Sequence, residues 1–221
     1  MIQPIQPIQP IQPIQPGPAS GPLLLADISG YTSFLQTVAA AHSDDAFADG
    51  RVPDAYGLVS SLLDGIIERI APPFTLSKIE GDAVFAFARD EEDVPRGAAL
   101  LDCIAACYAS FRERLGGAME IWTCRCNACA RVDGLDLKFV LHAGSYVVQS
   151  IGGGRELVGP EVVMAHRLLK NHAADLIGHP AYALITEVAA SRLAIPADGA
   201  RELTETYEHY APIAARVYAL R

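Results

Sequence analysis

The stretch FTLSKIEGDAVFAFAR, residues 74–89, leaves the chain few choices. Apolar residues crowd both sides of Gly81-Asp82, a dipeptide suited to turns, so two short strands fold back on each other as an antiparallel hairpin. The segments around this hairpin carry a helical period instead. Pro53 suits a first helical turn, and from there Leu58, Leu62, Leu63, Ile66 and Ile70 fall on one face. Over residues 92–114, Leu100, Leu101, Ile104, Cys107 and Phe111 do the same. PLLLADI (22–28) reads as a buried strand that turns into a helix at SGYTSFLQTVAAA (29–41). The polar run HSDDAFADGR (42–51) reads as a loop. Further on come a long strand at 135–151 bent at Gly144, a loop at 152–159 and a helix at 160–173. A strand at 181–186 follows, then a closing hairpin from 202–210 and 213–221. This order predicts an α+β fold with helices on one face of a mostly antiparallel sheet. Its heart is a ferredoxin-like βαββαβ core, extended by the extra C-terminal strands.

Before the folded part stands the repeat IQPIQPIQPIQPIQP, residues 2–16. A proline at every third position removes backbone donors and fixes φ, so neither helix nor sheet forms. A polyproline II tail fits, either as a ligand for a proline-binding module or with no binding role. Residues 17–21, GPASG, read as a linker, which puts the tail and linker at 1–21 and the domain at 22–221. With 51% hydrophobic and 19% charged residues, the domain has enough apolar side chains for a large core. The formal charge of −9 argues against a nucleic-acid surface, which needs clustered Lys and Arg. No apolar run reaches the roughly 20 residues of a membrane span, and no signal peptide is visible. The cytoplasm is the expected compartment.

Two carboxylates mark strand ends, Asp27 in LLLADISGYT and Asp82 in KIEGDAVF. In a βαββαβ sheet the first strand lies beside the hairpin, so both reach the same edge. Carboxylates brought together there repel unless a cation intervenes, and oxygen ligands select Mg²⁺ or Mn²⁺. Behind Asp27, the amides of Ser29, Gly30 and Tyr31 open a helix N-terminus, which suits phosphate groups. Singly, an Asp before a helix is commonly a cap and Gly-Asp commonly a turn. The matching order of elements favours the paired reading.

CRCNAC places Cys124, Cys126 and Cys129 in an insertion at about 115–133. Structural Zn²⁺ takes four ligands, and Cys103, Cys107, His142 or a residue of a partner subunit are candidates for the fourth. A redox-sensitive loop and plain core packing are the rival readings.

ADISGYT, KIEGDAVFAF, LHAGSYVV and GPEVVMAHRL occur in the order and rough spacing of the class III adenylate/guanylate cyclase catalytic domain. The chain resembles that superfamily from about residue 22 to 220. Within it, the chain is most similar to a divergent bacterial branch that shares DISGYT, SKIEGDAVF, CRCNAC and HRLLKN. The resemblance implies that Asp27, Asp82 and the Ile28 carbonyl hold two Mg²⁺ or Mn²⁺ ions. It implies that residues 28–32, including Thr32, hold a triphosphate, and that Lys78 and Glu156 read the purine edge, with ATP favoured. Arg167 matches the transition-state arginine, and sites in the family form across a head-to-tail homodimer. HRLLKN also reads as an ordinary helix C-terminus with favourable cations. Three positions depart from the pattern. Val163 stands where the family has a ribose-orienting Asn, Glu156 where it has Asp, and the closing hairpin offers Arg216 but no Lys for the triphosphate. A slow, absent or rebuilt cyclase activity is expected, with His166, Lys170 or Arg155 as replacements. The alternative is an impaired module that binds nucleotide or metal.

Overall fold

The computed structural model describes residues 17–42, 54–89, 93–121, 124, 126–152 and 154–221. The IQP tail and most of the 42–51 loop lie outside the described residues. Strands β1 (Gly17–Ser29), β2 (Thr75–Glu80), β3 (Ala83–Phe87) and β4 (Asp136–Ile151) lie in the order β2-β3-β1-β4. Helices α1 (Tyr31–His42) and α2 (Asp54–Ile70) join β1 to β2, and α3 (Ala98–Ile121) joins β3 to β4. This is the expected βαββαβ core. Beyond β4 the sheet continues through β6 (Tyr182–Thr186), β8 (Ile213–Ala219) and β7 (Arg201–Glu205). β4 and β6 pair in parallel, and the last two strands form the expected antiparallel hairpin.

Helices cover both faces of the sheet, not one. Alternate residues of β1 explain this directly. Leu24, Ala26 and Ile28 pack with α1, α2 and α3, while Leu23 and Leu25 pack with α4 (Pro160–Arg167) and α5 (Ala173–Ile177). Every residue of β3 and of β6 is buried, as strands covered on both faces require. The predicted inner faces of α2 and α3 hold: Leu62 and Ile66 are fully buried, and Ile104 and Phe111 pack beside them. Truncating such a residue to Ala costs about 2–5 kcal/mol.

Four segments differ from expectation. Gly17–Gly21 is no linker but the start of β1, paired with Gly144–Val148 of β4. Gly21 is needed there, because a Cβ would sit 2.0 Å from the Ala88 carbonyl oxygen. The 152–159 stretch holds strand β5 (Gly154–Val158), paired with the outer half of β4. α3 starts later and runs on through Gly116-Gly117, so the cysteine segment begins after residue 121 rather than near 115. The helix read over 160–173 stops at Arg167, and two short helices, α5 and α6 (Glu187–Arg192), follow where the sequence suggests no element.

Candidate functional site

The β1–β3 ladder sets Asp27 opposite Ala83, and the Ile28 N–H donates to the Asp82 carbonyl at 3.1 Å. The two carboxylates therefore share one sheet end, as their sequence positions predict. Burial raises the pKa of both above the usual carboxylate value. Asp27 raises Asp82 further through its charge, while Lys138 pulls Asp27 back down. Lys138, on β4, reaches Asp27 Oδ1 at 3.5 Å. The sequence alone had singled out no partner for Asp27; the β1–β4 register supplies one by pairing Asp27 with Lys138.

α1 begins directly behind this pair. Gly30 takes φ +83°, and a Cβ there would lie 3.0 Å from the Gly134 carbonyl oxygen. The chain therefore turns from β1 into α1 within one residue. The first turn of α1 carries no acidic residue of its own, and its leading amides have no partner within the helix. Tyr31 lies near enough to Asp82 for its charge, after burial, to raise the phenol pKa. Ser29, Gly30, Tyr31 and Thr32 thus stand beside the carboxylates.

A cleft of about 620 Å³ opens between β2 and α4. Lys78, Glu80, Val163, His166, Arg167 and Lys170 line it, with Tyr207 from the closing hairpin. Lys78 Nζ bridges Glu156 at 3.0 Å and Glu80 at 3.1 Å. The bond to Glu156 is the first cause of the raised Lys78 pKa. The two positions expected to read one purine edge are therefore in contact. The His166 ring packs edge-on against Phe85, with Nε2 2.9 Å from Glu80. The Arg167 guanidinium lies 5.5 Å from the Tyr210 ring centre. Among the described residues, no carboxylate pairs with Arg167 or Lys170. Neither Asp27 nor Asp82 lines this cleft.

Two expected stand-ins are committed elsewhere. Arg216 makes a bidentate pair with Glu187, both bonds 2.8 Å, and donates to the Ile195 carbonyl, so it ties α6 to β8. Arg155 donates to the Leu76 carbonyl and lies over the Phe87 ring. Lys170 is better placed, since the Tyr207 hydroxyl bonds its carbonyl at 2.9 Å and holds it beside the closing hairpin.

The three clustered cysteines meet a fourth side chain that none of the expected candidates supplies. It is His42, the last residue of α1. Cys103 is exposed and Cys107 is buried in the core with its thiol pushed up to about 12. His142 is buried on the other side of the sheet, where it bonds Thr186 and Glu161 at 3.0 and 2.7 Å. Within the cluster, the backbone N–H of Cys129 is the first cause lowering the Cys126 thiol to about 6.

Residues 59–176 match the family described as "Protein of unknown function (DUF2652)". The chain is 30% identical over 167 residues to "Uncharacterized protein Rv2561/Rv2562" of Mycobacterium tuberculosis, covering 71% of this chain and 74% of that one. In fold it is similar to the adenylyl cyclase CyaB from P. aeruginosa, with TM-score 0.62 and 15% identity, over 94% of this chain and 98% of that one. It is also similar to the guanylyl cyclase Cya2, with TM-score 0.58 and 15% identity, over 94% and 96%.

Proposed function

The chain belongs to the DUF2652 family and has a nucleotide-cyclase-like fold, and we propose that it binds a purine nucleoside triphosphate, ATP before GTP, and slowly converts it to a cyclic nucleotide and pyrophosphate. The observation that carries this reading is the Ile28 N–H bond to the Asp82 carbonyl, which sets two raised-pKa carboxylates side by side at the mouth of α1. The donor set fits Mg²⁺ or Mn²⁺. Asp27, Asp82 and the Ile28 carbonyl are hard oxygen ligands, and the pair has a single Lys as countercharge. Two such ions, once bound, would acidify the ribose 3′-hydroxyl and screen phosphate charge.

The rest falls to the protein. The turn at residues 28–32 holds the triphosphate through its amides from Ser29 onward, the Ile28 N–H being taken by the Asp82 carbonyl. Lys78 and Glu156 offer a donor and an acceptor to the purine edge. The 3′-oxygen bonds the α-phosphorus, its proton leaves, and the bond to the β-phosphate oxygen breaks to release pyrophosphate. Arg167 stabilises the charge that develops on the α-phosphate. Lys170 takes the place of the hairpin lysine that the sequence lacks. Arg167 lines a cleft that neither Asp27 nor Asp82 lines, which supports a site shared head-to-tail between two copies. Exposed Val147, Ile151 and Val158 on the β4–β5 arm offer apolar surface for such a pairing. Among the described residues no helix is long and apolar enough to cross a membrane. The reading puts the protein in the cytoplasm, where purine triphosphates are at hand.

A second reading, nucleotide binding without turnover, is favoured by two observations. Val163 is exposed in the cleft where a polar ribose contact is expected, and Arg216 is locked onto Glu187. The test is the purified full chain with ATP or GTP and Mn²⁺, with product read by mass spectrometry and Asp82→Ala as control. Cyclic nucleotide from the wild type alone supports turnover. Binding with no product supports the second reading, and neither product nor binding overturns both.

A further inference from the structure

The His42 cluster lies at the far end of α1 and takes no part in the site above. Its four ligand atoms, His42 Nε2 and the sulfurs of Cys124, Cys126 and Cys129, all lie within 4.8 Å of one another. Nε2 is 3.7, 3.3 and 3.4 Å from the three sulfurs in turn. A ring nitrogen carries one hydrogen or one lone pair, so hydrogen bonding satisfies at most one of these contacts. A shared cation satisfies all three. Metal–sulfur and metal–nitrogen bonds of about 2.3 and 2.05 Å at a tetrahedral angle set sulfur and nitrogen about 3.6 Å apart. The observed distances straddle that value. Cys126 and Cys129 also form a tight knuckle, in which the Cys129 N–H donates to Cys126 Sγ at 3.4 Å. Such an outer hydrogen bond orients a thiolate toward a metal. None of the three cysteines is in a disulfide.

We propose that His42, Cys124, Cys126 and Cys129 bind one structural Zn²⁺. Three soft thiolates and an imidazole select zinc over Mg²⁺ or Mn²⁺. Four protein ligands leave no position open for water or substrate, so the ion holds structure and does no chemistry. It joins elements that no covalent link holds together. His42 ends α1, and the cysteines lie between α3 and β4 in a segment that closes with a 3₁₀ turn at Cys129–Gly134. Gly30, the residue before α1, lies so close to Gly134 that a Cβ there would be 3.0 Å from its carbonyl oxygen. The ion would fix the His42 end of α1 to the connection that leads into β4, and backbone packing at Gly30 and Gly134 meets the same connection at the other end. The assignment stands apart from the cyclase reading, because metal content reports on it whether or not nucleotide binds.

The full chain, purified without chelators, is expected to carry about one zinc per chain by elemental analysis. Cys126→Ser and His42→Ala lose the zinc, while Cys103→Ser, outside the cluster, keeps it. His42→Cys restores a four-ligand site and keeps it as well. Should the losing variants fail to fold, the wild type decides the matter. A thiol-blocking mercurial then releases one equivalent of zinc to a chromogenic chelator, and cobalt exchange yields a thiolate-to-metal charge-transfer band. Wild-type protein with only trace zinc, or equal zinc in wild type and Cys126→Ser, overturns the proposal.

Discussion

Asp82 holds a carboxylate where the metal-free fold is worse off for it. Burial and the neighbouring Asp27 both raise its pKa above 3.8. Between 3.8 and the raised value the folded chain binds more protons than the unfolded one, so stability falls as pH rises through that window. At neutral pH the charged pair is a standing cost. Asp82→Asn is therefore expected to raise the melting temperature at neutral pH without added Mg²⁺ or Mn²⁺, and to flatten the acid side of the stability profile. Each kcal/mol gained moves the midpoint by about 2–4 °C for a chain of this size. Thermal melts across pH check it, and a lower melting temperature in the variant contradicts it. Gly30→Ala tests the neighbouring turn. Its positive φ and the close Gly134 oxygen predict a loss of about 1–3 kcal/mol, read from denaturant unfolding. At this scale the carboxylate pair was legible in the sequence, because strand alternation and a turn dipeptide fix where each Asp falls. His42 was not legible. It stands far from the cysteines in sequence, and it opens the polar run 42–51 that reads as a loop. The one available signal was arithmetic, since three thiols lack the fourth ligand a closed zinc site takes.

α4 carries the half of the site whose chemistry departs most from expectation. Arg167 and Lys170 reach the cleft from this helix and its end, while Val163 puts an exposed aliphatic side chain where the cyclase resemblance implies a ribose contact. Arg167→Ala is expected to leave nucleotide affinity within a few-fold and to lower turnover by about 10²–10³. Calorimetry beside a product assay separates the two effects. Val163→Asn is expected to raise turnover, and an unchanged rate would show that the ribose contact is made elsewhere. The long elements were readable from their period. α5 and α6 were not, because five- and six-residue helices are too short to show one. β5 hid behind Gly152 and Gly154 with charged Arg155 and Glu156, yet those two side chains are what reach across to β2. The start of β1 hid in the same way behind Gly, Pro and Ser. The covering of both sheet faces did leave a trace. PLLLADI and AVFAF are apolar at nearly every position, which a sheet with one wet face does not need.

Over the whole molecule, α1 runs from the Asp27–Asp82 carboxylates at its start to His42 of the proposed zinc site at its end. If two copies share a site, mixed Asp82→Ala and Arg167→Ala chains regain activity that neither variant has alone. Subunit-mixing assays check this, and no recovery after exchange contradicts the shared site. Cyclisation rests first on binding, which we propose runs through a divalent ion held by Asp27 and Asp82. Calorimetry with a non-cyclisable ATP analogue, with and without Mn²⁺, on the wild type and Asp82→Ala, tests it most directly. Binding is expected to require Mn²⁺ and to be lost in the variant. Absence of binding in the wild type, or equal binding in both proteins, would contradict it.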